Sequence, residues 1–372
     1  MKSSPATKRD ESEACMNEKV YSRLAEHLDG LPDGFPPSGT GADLRLLEML
    51  FSPQEAGLAV HLTLERESAA AIAARAGLPP GIAQQRLDEM AQKGLILSVQ
   101  DADGSLTYQA APFVVGIYEF QVNNLSLDLL HALREYWSTT IDRPPVETIP
   151  QMRTIPIHES IDPHLETMTY EQVNEIVAAH TRFAVAPCIC RRGAHLVGKG
   201  CDAPEESCLI FGDWAEFYAR TGRGRQIDRS EMLALIARAD AANLVLRPSN
   251  SQDVAFICCC CGCCCGGLVG LKRHPRPADV VASAFIASLA PEVCQACFTC
   301  LERCQMQALV RDDGGVMLKV ERCIGCGLCV STCPSGALTL VRKPESSQTR
   351  VPATMEDTWQ RISQAQNSRM GN

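Results

Sequence analysis

A chain of 372 residues has material for two or three domains with buried cores, and 45% hydrophobic against 21% charged residues is the balance of a globular protein in water. A formal net charge of −9 argues against a general binder of nucleic-acid phosphates. The polar start, MKSSPATKRDESEACMNEK, lacks the apolar core of a secretion signal, so the expected location is the cytoplasm.

Residues 1–40 run into GLPDGFPPSGTGAD, whose Gly and Pro content predicts a flexible lead-in. Residues 41–112 begin with helical apolar spacing interrupted at Pro53. A short helix from about Ser68, a Gly-Leu-Pro-Pro turn and a second helix to Lys93 follow. Two strands, LILSV and SLTYQA, flank an Asp-Gly turn. This order resembles a winged-helix domain. Over residues 40–112, however, five Lys/Arg face nine Asp/Glu, a net of −4. The second helix, GIAQQRLDEMAQK, offers Gln84, Gln85 and Arg86 before two acids. Too few cations remain to neutralise phosphates, and protein docking is the favoured use.

Residues 113–289 read as a central cysteine-rich domain. Helices are expected in MTYEQVNEIVAAH, in DAPEESCLIFGDWAEFYARTG between an Asp202 cap and a Gly222 stop, and in DRSEMLALIARADAAN behind an Asp228/Glu231 capping box. Cys188, Cys190 and Cys201 occupy the loop between the first two, and Cys208 falls in the second helix. Residues 290–342 form the next domain. The tail, 343–372, is polar and expected to be mostly mobile, with one short helix.

Nineteen of the 20 cysteines follow residue 187, Cys15 being the exception. Without a secretion signal so many thiols are expected to be reduced, and reduced clustered thiols hold metal. CQACFTCLERC places Cys294, Cys297, Cys300 and Cys304 at C-x2-C-x2-C-x3-C. CIGCGLCVSTCP repeats that spacing with Cys323, Cys326, Cys329 and Cys333, followed by Pro334. A short loop can present three thiolates to one cube from such positions, with Gly325 and Gly327 allowing close approach. Structural zinc takes four thiolates too, but favours paired C-x2-C knuckles.

The two runs resemble the bacterial two-cluster ferredoxins, whose fold and two 4Fe-4S clusters the resemblance implies for residues 290–342. Carried over residue by residue, cluster one takes Cys294, Cys297, Cys300 and Cys333, and cluster two takes Cys323, Cys326, Cys329 and Cys304. Gln305 stands where the family has proline, which touches only the local turn. More broadly, the order of a winged-helix-like start, APFVVGIYEFQ, VAPCICR, GKGCDAPEESCLIFG, a cysteine run and the double motif looks like a group of bacterial 4Fe-4S ferredoxin proteins. That likeness spans residues 41–342 and implies electron transfer between redox partner proteins.

Eleven cysteines remain, four at 188–208 and seven in VAFICCCCGCCCGG. As a membrane span, the 18 uncharged residues from Val254 to Leu271 are just long enough, but their glycines and the following KRHPRP argue against one. As packing, one or two buried thiols would need no explanation, and seven do. As ligands, side chains alternate along an extended chain, so Cys258 and Cys260 face one way and Cys259 and Cys261 the other. Gly262, Gly266 and Gly267 permit turns that return Cys263, Cys264 and Cys265 toward the same metal. The expected extra centre draws on Cys188, Cys190, Cys201, Cys208, Cys258, Cys260, Cys261, Cys263, Cys264 and Cys265. It is read as a further iron–sulfur cluster, with zinc the alternative, since thiolates select both. His195 and His274 are secondary candidates. Arg191, Arg192, Arg223 and Arg225 either balance anionic clusters, dock an acidic partner or are solvated. No Rossmann fingerprint, phosphate loop or nucleophile triad is present, and no catalytic residue is identified.

The sequence therefore predicts an α+β multidomain iron–sulfur protein that carries electrons. The alternatives are a redox-sensing winged-helix regulator and an oxidoreductase subunit with a catalytic cysteine-rich centre.

Overall fold

The computed structural model describes the backbone of residues 5–140 and 149–370, with side chains from 17 to 139 and from 149 to 366. Residues 1–4, part of the expected lead-in, lie outside the described residues, as do the Cys15 side chain, residues 141–148 of the expected central domain, and 371–372 of the tail. Contacts divide the chain into two compact units, Met1–Thr148 with Trp359–Asn372, and Ile149–Thr358.

In the first unit, the lead-in expected to be flexible forms a helix over Pro5–Asp29. Tyr21, Leu24, Ala25 and Leu28 recur at helical spacing and are all at most 8% exposed, which gives that helix an apolar stripe to bury. The Gly/Pro stretch after it is ordered as well. Asp29 Oδ1 accepts the Phe35 N–H at 2.9 Å, and the Phe35 ring stacks on Tyr136 with centroids 4.6 Å apart. Helices Ala69–Ala76 and Pro80–Lys93 flank a turn in which Gly77 takes φ +64°. Strands β1 (Glu67–Ser68), β2 (Leu97–Gln100) and β3 (Leu106–Gln109) form an antiparallel sheet in the order β1-β3-β2.

The boundary expected at residue 112 is not where contacts thin. Phe113 meets Phe35 at 4.7 Å, and the helix Leu127–Thr140 belongs to this unit. The tail, expected to be mostly mobile, carries a helix over Met355–Met370. Trp359, Ile362 and Gln366 share one buried face of it at helical spacing.

The second unit is built on a five-stranded antiparallel sheet. Its strands are β4 (Phe183–Pro187), β5 (Glu206–Phe211), β6 (Arg225–Ile227), β7 (Val245–Pro248) and β8 (Phe256–Cys260), in the order β6-β4-β5-β8-β7. The helix expected across 202–222 is corrected here. Residues Glu206–Phe211, Cys208 included, are strand, and the helix occupies only Gly212–Arg220. The apolar run CLIF is buried between two neighbouring strands, which a half-exposed helix would not allow, and Gly212 at φ +58° turns the chain. The helix Arg229–Ala241 starts where expected, with Asp228 accepting the Glu231 N–H at 2.8 Å. In MTYEQVNEIVAAH only Val173–Ala179 is α-helical, after one 3-10 turn at Thr169–Glu171.

The last segment adds a two-stranded sheet of β9 (Phe285–Leu289) with β12 (Leu338–Arg342), and a hairpin of β10 (Leu309–Asp312) with β11 (Gly315–Leu318). Met306, Ile324 and Leu328 from this segment share one apolar cluster with Leu209, Ile257 and Leu246 of the five-stranded sheet. Residues 290–342 are therefore packed into the same compact unit as the cysteine-rich sheet.

Candidate metal centres

The two C-x2-C-x2-C-x3-C runs fold into matching loops. Ala296 and Phe298 in the first run, and Gly325 and Gly327 in the second, occupy equivalent positions and all take positive φ, from +53° to +74°. Glycine is required in the second loop for space as well as for φ. A Cβ on Gly325 would lie 2.2 Å from the Phe285 carbonyl oxygen, and one on Gly327 would lie 2.0 Å from Ser160 Oγ.

Each loop wraps a cavity. One is lined by Cys304, Cys323, Cys326 and Cys329 among apolar side chains that include Met306 and Leu328. The other is lined by Cys294, Cys297, Cys300 and Cys333 with Phe298 and Val316. The fourth cysteine of each run thus lines the other run's cavity. Donors point at the sulfurs: the Ala287 N–H at Cys323 (3.3 Å), the Ala308 N–H at Cys304 (3.1 Å) and the Thr299 hydroxyl at Cys297 (3.7 Å). A four-iron cube spreads its thiolates over separate irons and needs such a lined void, so both quartets fit one.

Outside this segment, Cys201, Cys261, Cys263 and Cys264 bring their four sulfurs within 4.8 Å of one another. Cys201 lies 3.7 Å from both Cys261 and Cys264, and Cys263 lies 3.8 Å from Cys264. Four thiolates about 2.3 Å from one tetrahedral metal stand about 3.8 Å apart, so this quartet has the spacing of a single zinc-like ion. Arg191 Nη2 points at Cys261 Sγ from 3.7 Å. Burial opposes ionisation of Cys261, but the Cys264 N–H, Cys263 and Arg191 hold its thiol down at about 7.

The other central cysteines separate by strand alternation. Leu209, Ile257, Cys259 and Leu246 are in register or adjacent on β5, β8 and β7 and are at most 1% exposed. Burial pushes Cys259 up to about 12, the state of a packed thiol. The opposite face of β8 carries Cys258 and Cys260, with Cys208 paired to Cys258 across the sheet. Cys261, expected to share the side of Cys259, instead leaves the strand at the turn and joins Cys201. Cys188 and Cys265 cap the helices Ile189–Leu196 and Gly266–Arg273.

Of the four arginines singled out by sequence, Arg191 meets sulfur. It is fully buried and donates to the Pro204 carbonyl and to Ser207 Oγ as well. Arg192 pairs with Glu205, Arg225 pairs with Glu206 and Glu231, and the buried Arg223 stacks on Phe217. His195 is exposed and outside the four-thiol group, while His274 Nδ1 accepts the Arg276 N–H at 3.1 Å, a turn contact. Sequence reasoning passed over Arg247, which is paired in register with Cys258 and only 9% exposed. Its signal was legible: a single charge inside the apolar strand LVLRP.

Residues 293–338 match the 4Fe-4S dicluster domain family. Hydrogenase-4 component A of Escherichia coli is 39% identical over 72 residues, 19% of this chain and 34% of that protein. An uncharacterized ferredoxin of Methanocaldococcus jannaschii is 46% identical over 55 residues, 14% of this chain and 33% of its own length. Electron transport protein HydN of E. coli is 44% identical over 54 residues, 14% and 31% respectively. The chain thus spans about a third of the length of these relatives. No solved structure matches the chain. Residues 293–338 are a ferredoxin-type 4Fe-4S dicluster domain. Among the described residues, no helix is long and apolar enough to cross a membrane, and the segment tested above as a span begins as strand β8.

Proposed function

We propose that the protein transfers single electrons between redox partner proteins through two 4Fe-4S clusters, one held by Cys294, Cys297, Cys300 and Cys333 and the other by Cys323, Cys326, Cys329 and Cys304. The observation that carries this reading is the pair of cavities, each lined by four sulfurs in that crossed arrangement. Clusters bound there would supply one-electron acceptors, and the chain's own part is to hold them, aim N–H donors at their thiolates and keep water out. Cys297 is exposed, which gives the first site a face toward a partner. The second site borders the apolar cluster shared with the cysteine-rich sheet, which turns it inward. The spacing of Cys201, Cys261, Cys263 and Cys264 supports a mononuclear thiolate centre, read as zinc, beside them.

The first unit is read as a winged-helix-like docking module for a protein partner. Gln84 is engaged with Tyr108 and Asp88, and Gln85 with Glu89, so the helix facing outward has its amides tied to acids. Ile82 at its start is 45% exposed.

The test is anaerobic reduction of the purified protein followed by mixing with an oxidised acceptor ferredoxin. The expected result is bleaching of the cluster absorbance on reduction and its return on mixing. A protein that holds iron but neither bleaches nor returns electrons would refute the reading.

A further inference from the structure

Among the described residues, six thiols remain after the two ferredoxin quartets, the four-thiol group and the packed Cys259 are assigned. They converge from four separate elements. Cys208 and Cys258 are register partners on β5 and β8, and Cys260 follows two residues later on the same face. Cys188 and Cys190 open the helix after β4, and Cys265 opens the helix after β8. Their side chains touch in sequence: Cys208 with Cys258, Cys258 with Cys260, Cys260 with Cys265, Cys265 with Cys190, and Cys190 with Cys188. Both helices start at this chain of sulfurs, since Cys188 and Cys265 are their N-cap residues, where the helix dipole favours a thiolate.

A second observation concerns charge. Arg191 and Arg247 are both buried, and each has an Nε with no hydrogen-bond partner. Neither forms an ion pair with a carboxylate among the described residues. A buried guanidinium without a counter-charge is strongly disfavoured, so the anion that balances these two must come from the sulfurs. Position agrees: Arg191 faces Cys261 on one side and Cys188 on the other, and the Arg247 Nη1 lies over Gly267 close to Cys265. A Cβ on Gly267 would stand 2.6 Å from that nitrogen and 3.9 Å from the Cys265 sulfur.

We infer that Cys188, Cys190, Cys208, Cys258, Cys260 and Cys265 form a further metal site, distinct from the four-thiol group, that takes an iron–sulfur cluster of several irons. The spacing excludes a single ion. Among the described residues, only Cys201, Cys261, Cys263 and Cys264 gather three or more sulfurs within 4.8 Å of each other. The six sulfurs run in a line, each near the next but no three gathered together, and such a spread suits a polynuclear centre. This inference adds to the proposed electron-transfer reading, and its readout is metal content rather than electron flow.

The experiment is iron, acid-labile sulfide and zinc analysis of the full chain after anaerobic reconstitution with ferrous iron and sulfide. The expected content is about twelve irons and twelve sulfides with one zinc. About eight irons in the intact chain overturns the inference without any variant, while leaving the two-cluster reading standing. The double variant Cys190→Ser/Cys260→Ser is expected to lose about a third of the iron and to keep the ferredoxin clusters' spectroscopic signals and the zinc. Cys259→Ser, one residue away on the packed face, is expected to lose no iron. Loss of the same third from Cys263→Ser/Cys264→Ser instead would assign the iron to the other group and overturn the proposal.

Discussion

Gln305 Oε1 accepts the backbone N–H of Gly262 at 2.8 Å, tying the loop that follows a ferredoxin cysteine to the middle of the cysteine run. The same side chain donates to the Asn243 carbonyl at 2.8 Å. Gly262 admits this contact because a Cβ there would sit 2.7 Å from the amide oxygen. Proline, usual at this point in two-cluster ferredoxins, would remove both bonds. Gln305→Pro is expected to lower stability by about 2 kcal/mol, two part-buried hydrogen bonds at about 1 kcal/mol each, with full iron content. Urea unfolding is the measurement, and an unchanged midpoint would show that the contact contributes nothing.

The crossing of ligands makes a prediction that runs against proximity in sequence. Cys333→Ser is expected to remove the cluster wrapped by Cys294, Cys297 and Cys300, while the one wrapped by Cys323, Cys326 and Cys329 stays. Cys304→Ser is expected to do the reverse. Electron paramagnetic resonance of the reduced variants distinguishes the two clusters. Loss of the cluster within the mutated run itself would contradict the crossing.

The two loops share a conformation but differ in residue, and so respond differently to substitution. Ala296→Gly relieves a side chain held at φ +53° and is expected to stabilise by about 1 kcal/mol. Gly325→Ala drives a methyl group against the Phe285 carbonyl and is expected to destabilise by about 3 kcal/mol or more. Thermal unfolding of the reduced, cluster-loaded protein would reveal the opposite signs, and equal signs would refute the comparison.

Arg191 stands between two groups of sulfurs with no carboxylate partner. Arg191→Met leaves an apolar stem of similar length and removes the charge. It is expected to weaken zinc retention at the four-thiol group about tenfold or more in a chelator competition, the usual size of effect for a group that supports metal ligands. Arg191→Lys keeps charge but loses the fork, and an intermediate value is expected. Identical retention in all three proteins would remove Arg191 from any role in balancing thiolates.

In the first unit, burial outweighs the Gly116 N–H donated to Glu119 Oε2 and raises that carboxyl to about 7, with Asp33 adding to the rise. The folded state therefore binds this proton more tightly than the unfolded chain. The resulting stability is complete below about pH 4.5 and is lost as pH rises through about 7, a change of roughly 3 kcal/mol at most. Glu119→Gln is expected to flatten that slope. Unfolding curves of the two proteins at pH 5.5 and 8 would settle the sign, and parallel behaviour would exclude Glu119 as the titrating group.

The ferredoxin cysteines were legible because their ligand geometry is local: one loop presents three thiols, and spacing alone encodes it. The cysteine-rich sheet was not. Whether Cys258, Cys259 or Cys260 faces metal depends on β5 and β7, which reach β8 only through long-range pairing. Treating CLIF as helix hid the strand that positions Cys208. The apolar stripe of Tyr21, Leu24 and Leu28 was overlooked because the Gly/Pro stretch beside it suggested disorder.

Strand β8 ends in three chemically identical residues, Cys258–Cys260, with Cys261 next in the chain, so a slip by one position would change almost nothing in composition and everything in outcome. Cysteines cannot mark their own places. The address is written by their neighbours: Phe256 and Ile257 before the run pair with Ile210 and Leu209, and Gly262 after it sits where a Cβ would meet Gln305. An insertion of a single cysteine would therefore be a more damaging lesion than the loss of one, because it relabels every thiol downstream while leaving the motif looking intact.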